Sequence, residues 1–342
     1  MKKYSIAIIG ATGVVGEELL VVLKKLNFPV ENILPLASKN SAGSYIEFDD
    51  KQYKVLQLTD KIFTEHKVDI AFFSAGGGIS KKYSKYAVNS GAVVIDNTSH
   101  FRMDTDIPLI VPEVNPQDIV MWKNKGIIAN PNCSTIQMVQ ALKPLDDLYG
   151  ISRVDVATYQ AVSGAGKDGM KELVTQLQDF FAFKLHDSKK EIFVHQIALN
   201  VIPQVDIAMP SGYTKEEEKM IYETRKILHK DIKVSATCVR VPVLRSHSEA
   251  VTVTFGDKID IDIKKCQTVL KNFKNMKLID DIKNNLYPMP TTATDTDNTY
   301  VGRLRKDIFS PNILHFFNVA DQVRVGAATN SVRIALLWIK EN

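Results

Sequence analysis

Short apolar runs that end in polar turns, each leading into apolar residues at helical spacing, set the rhythm of the first 130 positions. Residues 4–9 read as a buried strand, a glycine turn follows, and Val15, Leu19, Val22, Leu23 and Leu26 then recur on one face of a helix. The alternation repeats with strands at 33–37 and 68–73, a helix at 79–89 and a strand at 92–95, and short apolar runs at 109–111 and 127–129 complete the region. Strand and helix in alternation predict a parallel, doubly wound sheet of the Rossmann type. Asn130-Pro131-Asn132 stops the pattern, so a first domain is expected over 1–130.

Beyond it the pattern changes. A helix follows Cys133, a long alternating run spans 152–162, and further strands are expected at 234–243 and 250–255 with helices between them. Long alternating strands favour an α+β domain with a mixed, largely antiparallel sheet, covered by helices on one face and free on the other to pack against a second subunit. The apolar spacing from Val323 to Ile339 predicts a strong helix returning to the first domain. The expected division is therefore 1–130 with 322–342 as one domain, and 131–321 as the other.

Composition narrows the class. At about 150 residues per domain, 342 residues fit two domains, and 45% hydrophobic with 24% charged residues excludes a disordered or low-complexity chain. A net charge of +4, spread without single-sign blocks, gives no footprint for nucleic acid or a membrane surface and leaves a small anionic substrate open. Cys133, Cys238 and Cys266 are too few and too far apart for a disulfide framework or a zinc cluster, so no metal is expected and a reducing compartment is. Lys2 and Lys3 ahead of an uncharged stretch resemble the start of a secretory signal, but Gly10, Gly13 and Gly16 break that stretch and Glu17 and Glu18 end it. No uncharged apolar run approaches the roughly 18 residues of a membrane span, and a cytoplasmic location is expected.

Three segments carry candidate chemistry. In Gly10-Ala11-Thr12-Gly13-Val14-Val15-Gly16 a strand meets a helix through a turn whose backbone N–H groups suit a pyrophosphate, one position away from the G-x-G-x-x-G spacing. The second strand ends in Ser38-Lys39-Asn40-Ser41 where NAD-selective proteins place a carboxylate, and a cation with hydroxyls suits the 2′-phosphate of NADP; a solvated loop lysine is the bland alternative. Ser74-Ala75-Gly76 opens a second glycine turn against which a cofactor could lie, or which is simply a loop. In Asn130-Pro131-Asn132-Cys133-Ser134-Thr135 a thiol stands at the start of a helix, where the dipole favours the thiolate that attacks carbonyl carbon. Cys238, inside a strand, and Cys266, on a helix, read as structural.

GATGVVG at 10–16, DNTSHFRM at 96–103, NPNCST at 130–135, YQAVSGAG at 159–166 and RVPVLRSHSEA at 240–250 occur in order along nearly the whole chain, and together they resemble the aspartate-semialdehyde dehydrogenases. The resemblance implies NADP-dependent reduction of L-aspartyl 4-phosphate to L-aspartate 4-semialdehyde through a cysteine thioester, in lysine, threonine and methionine biosynthesis. It makes Cys133 the nucleophile, with Asn132 beside it, His247 the acid/base and Gln160 the group that positions the acyl intermediate. Arg240 then takes the substrate carboxylate, Glu216 the amine, and Arg102 with Lys219 the phosphate. Taken alone, Glu216 and Lys219, three apart on a helix opened by the capping box at Thr214, would read as a surface ion pair. The cofactor set is Gly10, Thr12, Gly13, Val14, Val15, Ser38, Lys39, Asn40, Ser41, Ser74, Ala75, Gly76, Ser163, Gly164 and Gln322, the last standing where many relatives carry asparagine. A homodimer is implied, with a homotetramer left open.

Two competing readings remain at this level. An N-acetyl-glutamyl-phosphate reductase would share the chemistry but has glycine before its cysteine, where this chain has Asn132. A silent dinucleotide sensor would share the fold, yet has no need of Cys133, Gln160, Arg240 and His247 together.

Overall fold

The computed structural model describes residues 2–342. In chain order the elements are β1 (Tyr4–Ile9), α1 (Val14–Lys25), β2 (Val30–Ala37), β3 (Tyr45–Phe48), β4 (Lys51–Lys54), β5 (Leu56–Gln57), α2 (Ile62–Glu65), β6 (Ile70–Phe73), α3 (Gly77–Asn89), β7 (Val93–Asp96), β8 (Ile127–Ala129), α4 (Cys133–Tyr149), β9 (Ile151–Gln160), α5 (Gly166–Phe181), α6 (Lys215–Leu228), β10 (Lys233–Arg240), β11 (His247–Phe255), α7 (Ile263–Asn272), β12 (Met276–Leu278), α8 (Pro290–Ala293), β13 (Thr299–Lys306), β14 (Ile313–Ala320) and α9 (Thr329–Glu341). They fall into two compact units, Met1–Asn132 with Ala327–Asn342, and Cys133–Gly326. Residues 322–326, expected with the first domain, lie in the second unit.

In the first unit a fully parallel sheet runs β5-β2-β1-β6-β7-β8. Every residue of β1 is buried, because both faces of a parallel sheet are covered by helices. Ile6 sits between Ile33 and Ile70 in register, and Ile8, Leu19, Leu23, Phe72, Val332 and Ile334 extend the core. Each such side chain contributes about 1.5–3 kcal/mol by leaving water. Helix α9 anchors here through Trp338, whose ring meets Trp122 edge-on at 5.5 Å and Tyr4 at 6.2 Å. The strand order reverses direction between β1 and β6, and in open α/β sheets the crevice outside the carboxyl ends of such strands is where ligands bind.

At three places the structure departs from what the apolar pattern displays. Residues 109–111 are not a strand: Leu109 makes one parallel bridge to Ala129, while the Asn115 side chain donates to Leu109 O and accepts from Val111 N, both at 2.9 Å, taking the groups a ladder would use. The helix predicted from 323 begins as a π-helical turn over Arg324–Ala328, and α9 proper starts at Thr329. The β3–β4 hairpin was invisible to the apolar pattern because its strands are half exposed, and Asp49 and Asp50 turn it in the left-handed region with φ of 51° and 60°.

The second unit holds a mixed sheet in the order β10-β9-β11-β14-β13-β12, antiparallel at its three central pairings and parallel at both outer ones. Alternate residues of β11 from His247 to Phe255 face the helices and are buried, while Ala250, Thr252 and Thr254 on the other face are half-buried. Register sets the site. Arg240 pairs with Gln160 across the parallel β10–β9 ladder, and Ser248 pairs with Tyr159, which leaves His247 level with Gln160.

Candidate active site

Cys133 is the first residue of α4, so its thiol meets the positive end of a helix of 17 residues. The backbone of Gly326 closes behind it: a Cβ added there would lie 2.5 Å from the Cβ of Cys133, so only glycine lets that segment pass. Cys238 and Cys266 are buried, and burial pushes the Cys266 thiol up to about 11 and Cys238 higher still, which makes both inert.

His247 opens β11 and is buried. The Ala161 amide donates to its Nδ1 at 3.0 Å, and Gln137 Nε2 donates to its backbone carbonyl at 3.3 Å. A ring nitrogen that accepts an N–H bond carries no proton, so the neutral imidazole holds its hydrogen on Nε2. Burial, with the Arg240 charge adding to it against Glu216, lowers the pKa to about 3, and the ring is neutral at physiological pH. Nε2 faces the backbone of Gly164, whose added Cβ would come within 3.5 Å of it.

Gln160, at the end of β9, donates through Nε2 to Ser134 Oγ at 2.8 Å and to Glu216 Oε1 at 3.3 Å. Arg240 donates from Nη1 to Ala161 O at 2.6 Å, and its guanidinium lies 6.0 Å from the centre of the Phe193 ring. Burial lowers the Arg240 pKa, and Glu216 and the Cys133 sulfur oppose that shift. Gly164 is needed here as well, since a Cβ would lie 2.8 Å from Arg240 Nη1.

Helix α6 presents Glu216 and Lys219 on one face, behind a complete capping box between Thr214 and Glu217. Lys219 Nζ bonds Glu216 at 2.9 Å and Asp206 at 2.7 Å. Burial opposes its charge, but the two carboxylates outweigh burial and raise the pKa above that of an ordinary lysine. The bland reading of this pair fails, because Glu216 is buried and bonded to Gln160. Gln322 is also in this unit: its Oε1 accepts from Ser246 N at 2.8 Å and its Nε2 donates to Ser163 Oγ.

Sequence reasoning missed Ser134, Asp206, Phe193 and the Ala161 amide. Ser134 carried a signal, standing one residue after the thiol, whereas Asp206 and Phe193 lie in segments without regular periodicity.

The remaining expected residues belong to the first unit. Gly13 and Gly76 precede α1 and α3, and neither helix start receives a side-chain cap, so backbone N–H groups point out of the carboxyl ends of the adjacent strands β1 and β6. Gly10 and Gly76 have φ of +91° and +93°, and a Cβ on Gly16 would come within 2.2 Å of Gly10 O. Thr12, Val14 and Val15 lie in the first of these turns, Ser74 and Ala75 in the second. Residues Ser38, Lys39, Asn40 and Ser41 make the turn after β2, closed by Ser41 N to Ser38 O at 3.1 Å. This arrangement fits a dinucleotide phosphate: uncapped donors, bare backbone, and no carboxylate at the end of β2. Arg102 is buried and donates from Nη2 to Asn97 O at 2.8 Å, and Asn132 is buried just ahead of the thiol. Among the described residues no group of three or more His, Cys, Asp and Glu could hold a metal ion.

A doubly wound sheet with two glycine turns, carried on one chain with a helix-start thiol, a neutral imidazole and a buried arginine, defines a thiol-dependent dehydrogenase. Comparison with known proteins agrees. Residues 5–122 match the family described as semialdehyde dehydrogenase, NAD binding domain, and residues 142–325 match semialdehyde dehydrogenase, dimerisation domain. The chain is 62% identical to an aspartate-semialdehyde dehydrogenase of Campylobacter jejuni over 99% of this chain and 98% of that protein, and 47% identical to one of Helicobacter pylori over 99% of both. A crystal structure of aspartate semialdehyde dehydrogenase II from Vibrio cholerae, complexed with ASA, is 45% identical, covers 100% of this chain and 99% of its own, and superimposes with a TM-score of 0.95. The chain belongs to the aspartate-semialdehyde dehydrogenase family. The acetylglutamyl-phosphate reductase and sensor readings are thereby set aside.

Proposed function

We propose that this protein reduces L-aspartyl 4-phosphate to L-aspartate 4-semialdehyde with NADPH, through a thioester on Cys133, as a cytoplasmic homodimer. The observation that carries the reading is the meeting of Cys133, Gln160, Glu216, Arg240 and His247 within one unit of a chain whose other unit has a dinucleotide fold. Cysteines outside any disulfide, and no helix among the described residues long and apolar enough to cross a membrane, are compatible with the cytoplasm. The half-buried face of the second sheet, within the segment matching a dimerisation domain, is the surface for the second subunit.

The Cys133 thiolate attacks the acyl-phosphate carbon, a C–S bond forms, the C–O bond to phosphate breaks, and phosphate departs with a proton from solvent. The Gly10–Val15 and Ser74–Gly76 turns would hold the cofactor pyrophosphate and the Ser38–Ser41 turn its 2′-phosphate, and the nicotinamide supplies the hydride that reduces the thioester. His247 Nε2–H would donate a hydrogen bond to the tetrahedral oxyanion and keep its proton, and the oxyanion collapses to the aldehyde carbonyl as the C–S bond breaks and the Cys133 thiolate leaves. The family role of acid/base is thus narrowed, for a ring that starts neutral, to donation from Nε2. Arg240 grips the carboxylate and Glu216 the amine, and the resemblance gives the phosphate to Arg102 and Lys219. The resemblance gives Ser163, Gly164 and Gln322 to the cofactor as well.

The test is an assay in the oxidative direction with aspartate semialdehyde and phosphate, following reduced nicotinamide with NADP and with NAD. No product with either cofactor removes the activity, and equal kcat/KM for NAD removes the reading of the Ser38–Ser41 turn.

A further inference from the structure

The backbone that delivers His247 is locked one residue upstream. Ser246 is fully buried and has φ of +76°, a region that disfavours every residue with a side chain except as an isolated, well-anchored case. Its anchors are specific. Ser246 N donates to Gln322 Oε1 at 2.8 Å and its Oγ pairs with Thr294 Oγ1 at 2.8 Å. The preceding Arg245 places Nε 2.8 Å from Asp321 Oδ2 and Nη1 3.1 Å from Asp295.

Asp321 is the hub of this arrangement. Its carboxylate is buried, and besides Arg245 it accepts from Asp295 N at 2.7 Å and from Val323 N at 3.0 Å. It stands one residue past Ala320, which pairs with His247 across the β11–β14 ladder, and it opens the turn that carries Gly326 to the back of Cys133. One carboxylate therefore ties the segment entering the imidazole, the segment behind the thiol and the 294–297 turn.

We propose that Asp321 and Arg245 are positioning residues for the reaction: their ion pair holds Ser246 in its left-handed conformation, and through it the His247 Nε2–H in register with Cys133. The proposal rests on the function given above, and neither residue touches substrate in it.

The experiment compares Asp321→Asn, Arg245→Lys, and Asp321→Asn combined with Ser246→Gly, using full-length enzyme. Turnover is normalised to active sites by the burst of reduced cofactor, and KM for phosphate, cofactor affinity and Tm are measured alongside. Asp321→Asn and Arg245→Lys should each lower kcat per active site by tenfold or more, with KM and cofactor affinity within about threefold of wild type. Ser246→Gly, free to adopt φ of +76° without an anchor, should restore at least threefold of kcat without restoring Tm. A purely structural pair would reduce burst amplitude and Tm while leaving kcat per site intact, and that result overturns the proposal. So does a failure of Ser246→Gly to restore any turnover. If Asp321→Asn does not fold, Arg245→Lys, which keeps the charge and loses the planar fork, carries the same comparison. Absence of a burst in the wild-type enzyme would count against the thioester reading instead.

Discussion

The two units build their sites from opposite materials. In the first, the features that face a ligand are backbone: glycines at φ near +90°, helix starts without side-chain caps, and a turn after β2 lacking any carboxylate. In the second they are side chains delivered from α4, β9, α6, β10 and β11, separated by more than a hundred residues and aligned by strand register. Changes in the glycine turns of the first unit should therefore move cofactor constants, and changes at Cys133, Gln160, Arg240 and His247 in the second should move chemistry, with Arg102 the side-chain exception in the first unit.

Cys133→Ser is the most damaging break. A hydroxyl at the start of α4 is a far weaker nucleophile than a thiolate, so turnover should vanish while Tm and cofactor affinity stay near wild type. Retention of more than about a tenth of wild-type kcat, equivalent to about 1.4 kcal/mol of barrier, would remove Cys133 from the mechanism.

The arginines divide the comparison between the units. Arg240→Leu leaves the substrate carboxylate without its fork and should cost about 2–4 kcal/mol in kcat/KM for the semialdehyde. Arg102→Leu, in the first unit, should mainly raise KM for phosphate and leave the burst of reduced cofactor in place. If Arg102→Leu abolishes the burst with phosphate saturation unchanged, the two assignments are wrong.

Gly16→Ala tests the backbone side. The added methyl would meet Gly10 O at 2.2 Å, so the turn must shift, at a cost of about 1–3 kcal/mol. Cofactor binding should weaken, measured by titration, while the alkylation rate of Cys133 in free enzyme stays unchanged. A change in alkylation without a change in cofactor affinity would erase the contrast between the units.

This contrast also explains what the sequence made legible. A glycine turn is local, so GATGVVG and its flanking strand and helix could be read directly, and so could a thiol placed one residue past Asn132. The neutral state of His247 could not be read, because it depends on the Ala161 amide, 86 residues away, and on burial beneath a strand pairing that only the fold supplies. Lys219 was legible as a cation but not as one already shared by Glu216 and Asp206. Leu109 to Val111 could be read only as an apolar run, since nothing in an apolar triplet reveals that Asn115 will take its hydrogen bonds.

The smallest effect on turnover, and the sharpest probe of burial in the second unit, is expected from Glu249→Gln. Glu249 follows His247 by two residues on the same buried face of β11, and its carboxyl is wholly shielded from solvent. Burial holds its pKa well above the usual carboxylate range, with Asn318 and Gln137 pulling more weakly the other way, so the folded protein keeps this proton to higher pH than the unfolded chain does. In the unfolded chain it ionises near the ordinary value of about 4.3. Above that pH the folded state holds a proton that the unfolded state has released, so this group makes stability fall as pH rises, until the folded pKa is passed. Glutamine keeps the shape of the neutral acid and cannot ionise. Glu249→Gln should therefore match wild type in Tm near pH 4, gain on it steadily as pH rises toward 8, and keep kcat within about twofold. A Tm difference between the two proteins that stays constant from pH 4 to about 8 would mean that Glu249 is ionised in the folded state, and that the polar layer beneath His247 is charged rather than neutral.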